Sequence, residues 1–284
     1  MVGEVSESVK LSSGFILGEI FDLYEKIKDL PEKEILYGSS DQYGSFFQRL
    51  NSLVMLDPGD NAVQELLNNR ELEPIFISIY RFRNLYTVRL ETEHANEILA
   101  GKSPWKILEG FPFYGNYLKL VRTEYEGLGL KEGDRVLFLG SGPLPLTLIV
   151  FLKQHGVKST GIEQDTMRAN ISKKVLDKLG VSGNISIVNG NHFSLSKGDF
   201  VNPDVCTGAI MIAAQAEPKK EIFEHLLDVM PVGSRISCRI YEKGLSALLN
   251  RNCLFNLPES FEEQARVHPE PPVYNTVIFL EKKG

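Results

Sequence analysis

The chain has 284 residues, 43% of them hydrophobic, enough for one large core or two modest ones. A net charge of −6 with no basic stripe argues against a nucleic-acid partner. No apolar run approaches the roughly 18 residues a membrane span needs, and the N-terminus MVGEVSESVK lacks the basic and apolar regions of a secretory signal.

Three cysteines, Cys206, Cys238 and Cys253, are scattered along the chain. The first two fall in apolar, strand-like runs and read as core thiols. This usage suits a reducing cytoplasm and provides no structural zinc site.

Residues 1 to about 125 read as an all-helical N-terminal domain. Phe15, Ile16, Ile20, Phe21, Tyr24, Ile27 and Leu30 recur at helical spacing. Asp57-Pro58-Gly59-Asp60 is a turn, and Asn61 to Leu72 and Pro74 to Ile98 continue as helices. Ser103 and Pro104 open another helix, as cap and first residue. It leads into Phe111-Pro112-Phe113-Tyr114-Gly115-Asn116-Tyr117, too aromatic for an exposed loop and too broken for a core helix.

From Gly127 strands alternate with helices, which predicts an α/β fold with a Rossmann-like parallel sheet over 126–284. The expected strands are 135–140, 158–162, 185–189, 206–212, 234–240 and 274–281, the last pairing antiparallel at an edge. Helices are expected at 165–179 and 217–230.

The most informative stretch is 135–163, RVLFLGSGPLPLTLIVFLKQHGVKSTGIE. It reads strand, glycine turn, helix, strand, acid. Pro143 and Pro145 suit a first helical turn. Glu163 stands roughly 20 residues past the turn, where nucleotide-binding folds hold ribose hydroxyls. Pro145 replaces the third glycine of a dinucleotide fingerprint, so an adenosine ligand without a pyrophosphate fits better than NAD or FAD. A plain α/β crossover whose glycines only make the turn remains the bland alternative. Further clusters at predicted strand ends are Asn191-His192, Ala214-Gln215-Ala216-Glu217-Pro218 and Arg239-Ile240-Tyr241. His192 and His94 read as exposed. Arg239 could hold a substrate carboxylate bidentately or pair with a surface acid.

Several motifs resemble the nicotianamine synthase family in its archaeal and bacterial branch. They are SPWxxL at 103–108, FYGNY at 113–117, GSGPLPLT at 140–147, AxAEPK at 214–219, RIY at 239–241 and Asn275-Thr276. The resemblance implies a methyltransferase-type Rossmann-like fold. It implies transfer of the 3-amino-3-carboxypropyl (aminobutyrate) arm of S-adenosylmethionine to an amine, with release of methylthioadenosine and no metal. It further implies Glu91 as base or ammonium anchor and Tyr117 as positioner, with Gly140, Ser141, Gly142, Pro143, Leu144, Glu163, Asn191 and Ala213 around S-adenosylmethionine. Tyr114, Arg239, Tyr241 and Asn275 would face the second substrate. From composition alone Glu93 is as good an acid as Glu91, and Tyr117 could be a packing aromatic. Small molecules, rather than nucleic acid or membrane, are the expected partners, with a homodimer open.

Overall fold

The computed structural model describes residues 13–39, 41–56, 59–202, 208–249 and 257–284. Cys206, Cys253, Asp57, Pro58 and the start of the strand expected at 206–212 lie outside the described residues.

Two compact units emerge, one of residues 1–86 with 243–251 and the other of 87–242 with 252–284. In the first, α1 (Ser13–Ile27), α2 (Glu32–Tyr37), α3 (Gln42–Val54), α4 (Asp60–Asn68) and the start of α5 (Glu73–Ala100) surround an apolar interior. Ile16, Ile20, Leu23 and Ile27 are buried at helical spacing on α1, whereas Phe15 and Phe21 are exposed. Phe82 and Tyr86 stack on α5, and Phe47 of α3 lies against Tyr86. The 3-10 segment Gly244–Leu249 folds with α3 and α4.

The second unit is built on one seven-stranded sheet. The strands are β1 (Arg135–Leu139), β2 (Lys158–Glu163), β3 (Ile185–Asn189), β4 (Ala209–Ile212), β5 (Arg235–Ile240), β6 (Phe261–Val267) and β7 (Thr276–Lys282). Their order is β3-β2-β1-β4-β5-β7-β6, with β1 to β5 parallel. β7 runs antiparallel to both β5 and β6, so it is an inner strand and not the edge expected from the sequence. The edge is β6, FEEQARV, with only Phe261 buried. Charges along an edge strand discourage pairing with other chains, and they also erase the alternation that reveals a strand.

The helices of this unit are α6 (Pro104–Glu109), α7 (Tyr114–Gly127), α8 (Leu146–His155), α9 (Thr166–Leu179), α10 (Lys197–Val201) and α11 (Lys219–Val229). Ala95, Ile98, Leu108, Phe111, Leu120 and Val121 share one core with Phe138, Val150 and Leu176. The end of α5, α6 and α7 therefore belong with the sheet. This moves the division from the expected 125 to Tyr86/Thr87. The other face of the sheet buries Ile222, Phe223 and Leu226 of α11 against Ile210, Ile236 and Ile278. Cys238 is buried there as the expected core thiol, and burial pushes its pKa up to about 11.

Candidate active site at the glycine turn

β1 ends in a turn that only glycine tolerates. Gly140 and Gly142 adopt φ +85° and +70°, in the left-handed region. Gly140 donates its N–H to the Ile162 carbonyl at 2.9 Å, tying the turn to β2. A Cβ on Gly140 would lie 3.1 Å from the Ala213 Cβ, so the loop after β4 closes tightly over the turn. α8 starts at Leu146, after both prolines, with Pro145 in the capping position rather than in the first turn.

Three expected ligand contacts of the turn are restricted to its backbone. Pro143 and Leu144 are buried, and Leu144 belongs to the core shared with α7. The Ser141 Cβ lies 2.8 Å from where Gly161 of β2 would carry its own, so the hydroxyl is turned inward and has no hydrogen-bond partner among the described residues. Ala213 is half-buried beside the turn and donates its N–H to the Leu139 carbonyl.

Two carboxylates converge on Gly142. Glu163 ends β2; its Oε2 accepts the Gly142 N–H at 2.9 Å, and its Oε1 accepts the Asp165 N–H at 3.0 Å. Each oxygen keeps a second lone pair for a ligand hydroxyl. Glu91 reaches Gly142 from α5: its Oε2 lies 2.7 Å from where a Gly142 Cβ would stand. The Tyr117 hydroxyl, from α7, is 3.5 Å from Glu91 Oε1, at the outer limit of a hydrogen bond. Glu93, by contrast, is exposed and pairs with Arg89.

Electrostatics follow from this crowding. Burial, then the Glu163 charge, pushes the Glu91 carboxyl up to about 8, against the opposing pull of Arg168 and the Tyr117 hydrogen bond. Glu91 as a whole is half-buried, with its carboxyl turned inward; an acid so shielded beside another carboxylate, at the carboxyl edge of a parallel sheet, is where a general base is expected.

Other expected site residues are placed differently. Arg239 is buried and engages the buried carboxylate of Glu124, so its charge is already answered within the protein. The Tyr114 phenol meets Lys153 in the last turn of α8, the end away from the glycine turn. Asn191 is exposed, and its Oδ1 accepts the Phe193 N–H as the cap of a 3-10 turn at His192–Ser194. His192 is 8% exposed and its Nε2 has no partner among the described residues; His94 is held by the Ile107 carbonyl at 2.7 Å. Neither histidine is exposed as expected. Burial, with His225 adding to it, lowers the pKa of His192. Tyr241 is buried just past β5, and Asn275 just before β7 has a buried Nδ2 without a partner among the described residues. Ile240 pairs with Thr276, so the antiparallel register brings Tyr241 and Asn275 opposite one another.

Lys219 was not singled out as a site residue. It is 3% exposed, and its ammonium donates to the carbonyls of Ala213, Ala214 and Ala216 at 3.2, 3.0 and 2.6 Å. Glu217 lies 3.3 Å from the same nitrogen. One buried cation thus gathers the loop that closes over Gly140. Lys219→Met would strand these acceptors and is expected to destabilise the protein by on the order of 3 kcal/mol. A fall of several degrees in Tm by calorimetry checks this.

The family model "Nicotianamine synthase protein" matches residues 9–284. Nicotianamine synthase 2 of Arabidopsis thaliana is 25% identical, covering 96% of this chain and 85% of its own. Nicotianamine synthase 3 of the same plant is 29% identical, covering 93% and 82%. The crystal structure of MtNAS in complex with MTA and tNA superposes with a TM-score of 0.80 at 25% identity, covering 94% of this chain and 98% of that one. The fold, the glycine turn and the match over nearly the whole length agree: the chain belongs to the nicotianamine synthase family.

Proposed function

We propose that the protein moves the aminobutyrate arm of S-adenosylmethionine onto an amine, releases methylthioadenosine, and so builds a nicotianamine-like metal chelator. The observation that carries this reading is the Glu91 carboxyl, pushed up to about 8 and set against the glycine turn with Tyr117 beside it. The related MtNAS, crystallised in complex with MTA and tNA, supports it.

In this reading Glu163 accepts the ribose hydroxyls with its remaining lone pairs. Gly140, Gly142 and Ala213 present backbone to the adenosine side. The sulfonium supplies an electrophilic carbon. The attacking nitrogen forms the new C–N bond, the C–S electrons return to sulfur, and the nitrogen's proton passes to Glu91. Tyr117 orients the carboxylate and the amine. A base whose pKa lies near the working pH transfers protons most effectively. In the same reading Tyr241 and Asn275, at the carboxyl end of β5, form the amine-acceptor side, and the Asn275 Nδ2, which has no partner among the described residues, supplies a donor.

Incubation with S-adenosylmethionine and a panel of amino acids, followed by mass analysis, tests the reading. Methylthioadenosine and a mass gain of one or more aminobutyrate units are expected; S-adenosylhomocysteine would overturn it in favour of methyl transfer. Gly142→Ala is a second check. Its Cβ would need a φ of +70° and would displace the Glu91 carboxylate, so kcat/KM is expected to fall by up to about 100-fold in a methylthioadenosine-release assay.

A further inference from the structure

Glu124 has no part in the chemistry above, yet it is 0% exposed. Its Oε1 accepts from Arg239 Nε at 2.9 Å and from the Ser237 hydroxyl at 3.0 Å, and its Oε2 from Arg239 Nη2 at 2.6 Å. Both Nη atoms of Arg239 also reach the Thr147 hydroxyl at 3.2 Å, and the guanidinium lies 5.1 Å from the centre of the Phe138 ring. This ion pair joins three elements: α7 through Glu124, β5 through Arg239 and the first turn of α8 through Thr147.

Each of these elements carries part of the site. α7 bears Tyr117, β5 leads into Tyr241, and α8 begins at the end of the glycine turn. Glu124 follows Tyr117 by seven residues, two helical turns, so the two share a face of α7. Tyr117 and Tyr241 both lie near the Arg239 guanidinium. Stability does not explain such a pair, because apolar side chains of similar volume commonly replace a buried ion pair at no loss.

Building on the function proposed above, we propose that Glu124 and Arg239 are positioning residues, whose ion pair sets α7 against the first turn of α8 so that the Tyr117 phenol meets the Glu91 carboxylate over Gly142. They act through Tyr117 and do not touch substrate.

A double-mutant cycle tests this. Arg239→Lys keeps the charge but loses the fork. It is expected to lower kcat for methylthioadenosine release about 30-fold in the wild-type background, and less than about 3-fold in a Tyr117→Phe background. The Kd for S-adenosylmethionine, by calorimetric titration, should stay within about threefold throughout. Equal losses in both backgrounds would mean a general structural defect and would overturn the proposal, as would an undiminished kcat. If Arg239→Lys does not fold, Thr147→Val leaves the ion pair intact and removes only the tie to α8. The same cycle should then show about a 5-fold loss that disappears with Tyr117→Phe, and additivity would again overturn the proposal. A wild-type enzyme that releases no methylthioadenosine would instead refute the proposed function, and the control reaction shows this before any variant is compared.

Discussion

Glu91→Gln is expected to lower methylthioadenosine release by about 100- to 10,000-fold, the contribution usual for a positioned general base. Glutamine keeps the shape of the side chain and its contact with Gly142, so S-adenosylmethionine should bind within a few-fold of the wild-type Kd. Glu93→Gln is the control. It lies two residues away on α5 but breaks only an exposed ion pair with Arg89, so activity should change by less than about twofold. The wild-type pH profile must agree. A carboxyl pushed up to about 8 is mostly protonated at neutral pH, so kcat/KM of the free enzyme should climb with pH and level off above that value. A Glu91→Gln variant retaining more than about a tenth of the activity would remove Glu91 from the proton-transfer step.

The pair at the heart of the site illustrates what a sequence can and cannot convey. The glycine turn and the position of Glu163 beside it were legible because both are local: φ above zero demands glycine, and an acid ending the next strand is fixed by the length of the βαβ unit. Glu91 and Tyr117 were reached only through resemblance. Nothing in α5 distinguishes Glu91 from Glu93; what distinguishes them is which face of the helix meets Gly142, 51 residues further on.

Arg239 marks the opposite limit. An arginine at a strand end near a ligand site suggests a carboxylate partner, and it has one, but the carboxylate is the protein's own. Glu124 lies 115 residues away in sequence, in a helix whose polar residues otherwise look solvated. Lys219 was hidden for a similar reason, since a lysine opening a helix normally faces water, and only the fold reveals three carbonyls aimed at it. The domain division was misplaced because composition changes near 125 whereas burial changes near 86. α6 and α7 are helical like the N-terminal region, but their apolar faces belong to the sheet.

Glu91 should also make the wild-type protein less stable in alkali, with Glu91→Gln free of that penalty. In the folded protein its carboxyl holds a proton up to about pH 8, while in the unfolded chain it releases that proton near 4.5. Between these values the folded state binds more protons than the unfolded one, so raising the pH favours unfolding. The span of about 3.5 units corresponds to on the order of 5 kcal/mol, fully lost only above pH 8. Denaturant titrations of the two proteins should therefore differ by a constant well below pH 4.5, and by an amount that grows in favour of Glu91→Gln from there up to pH 9. A difference that does not vary with pH would show that Glu91 ionises in the folded protein as it does in water. S-adenosylmethionine should narrow the gap, because a sulfonium beside the carboxylate favours its charged form and replaces the proton as counter-charge. The strain that weakens the empty site in alkali would then be relieved by the positive charge of the substrate it is proposed to bind.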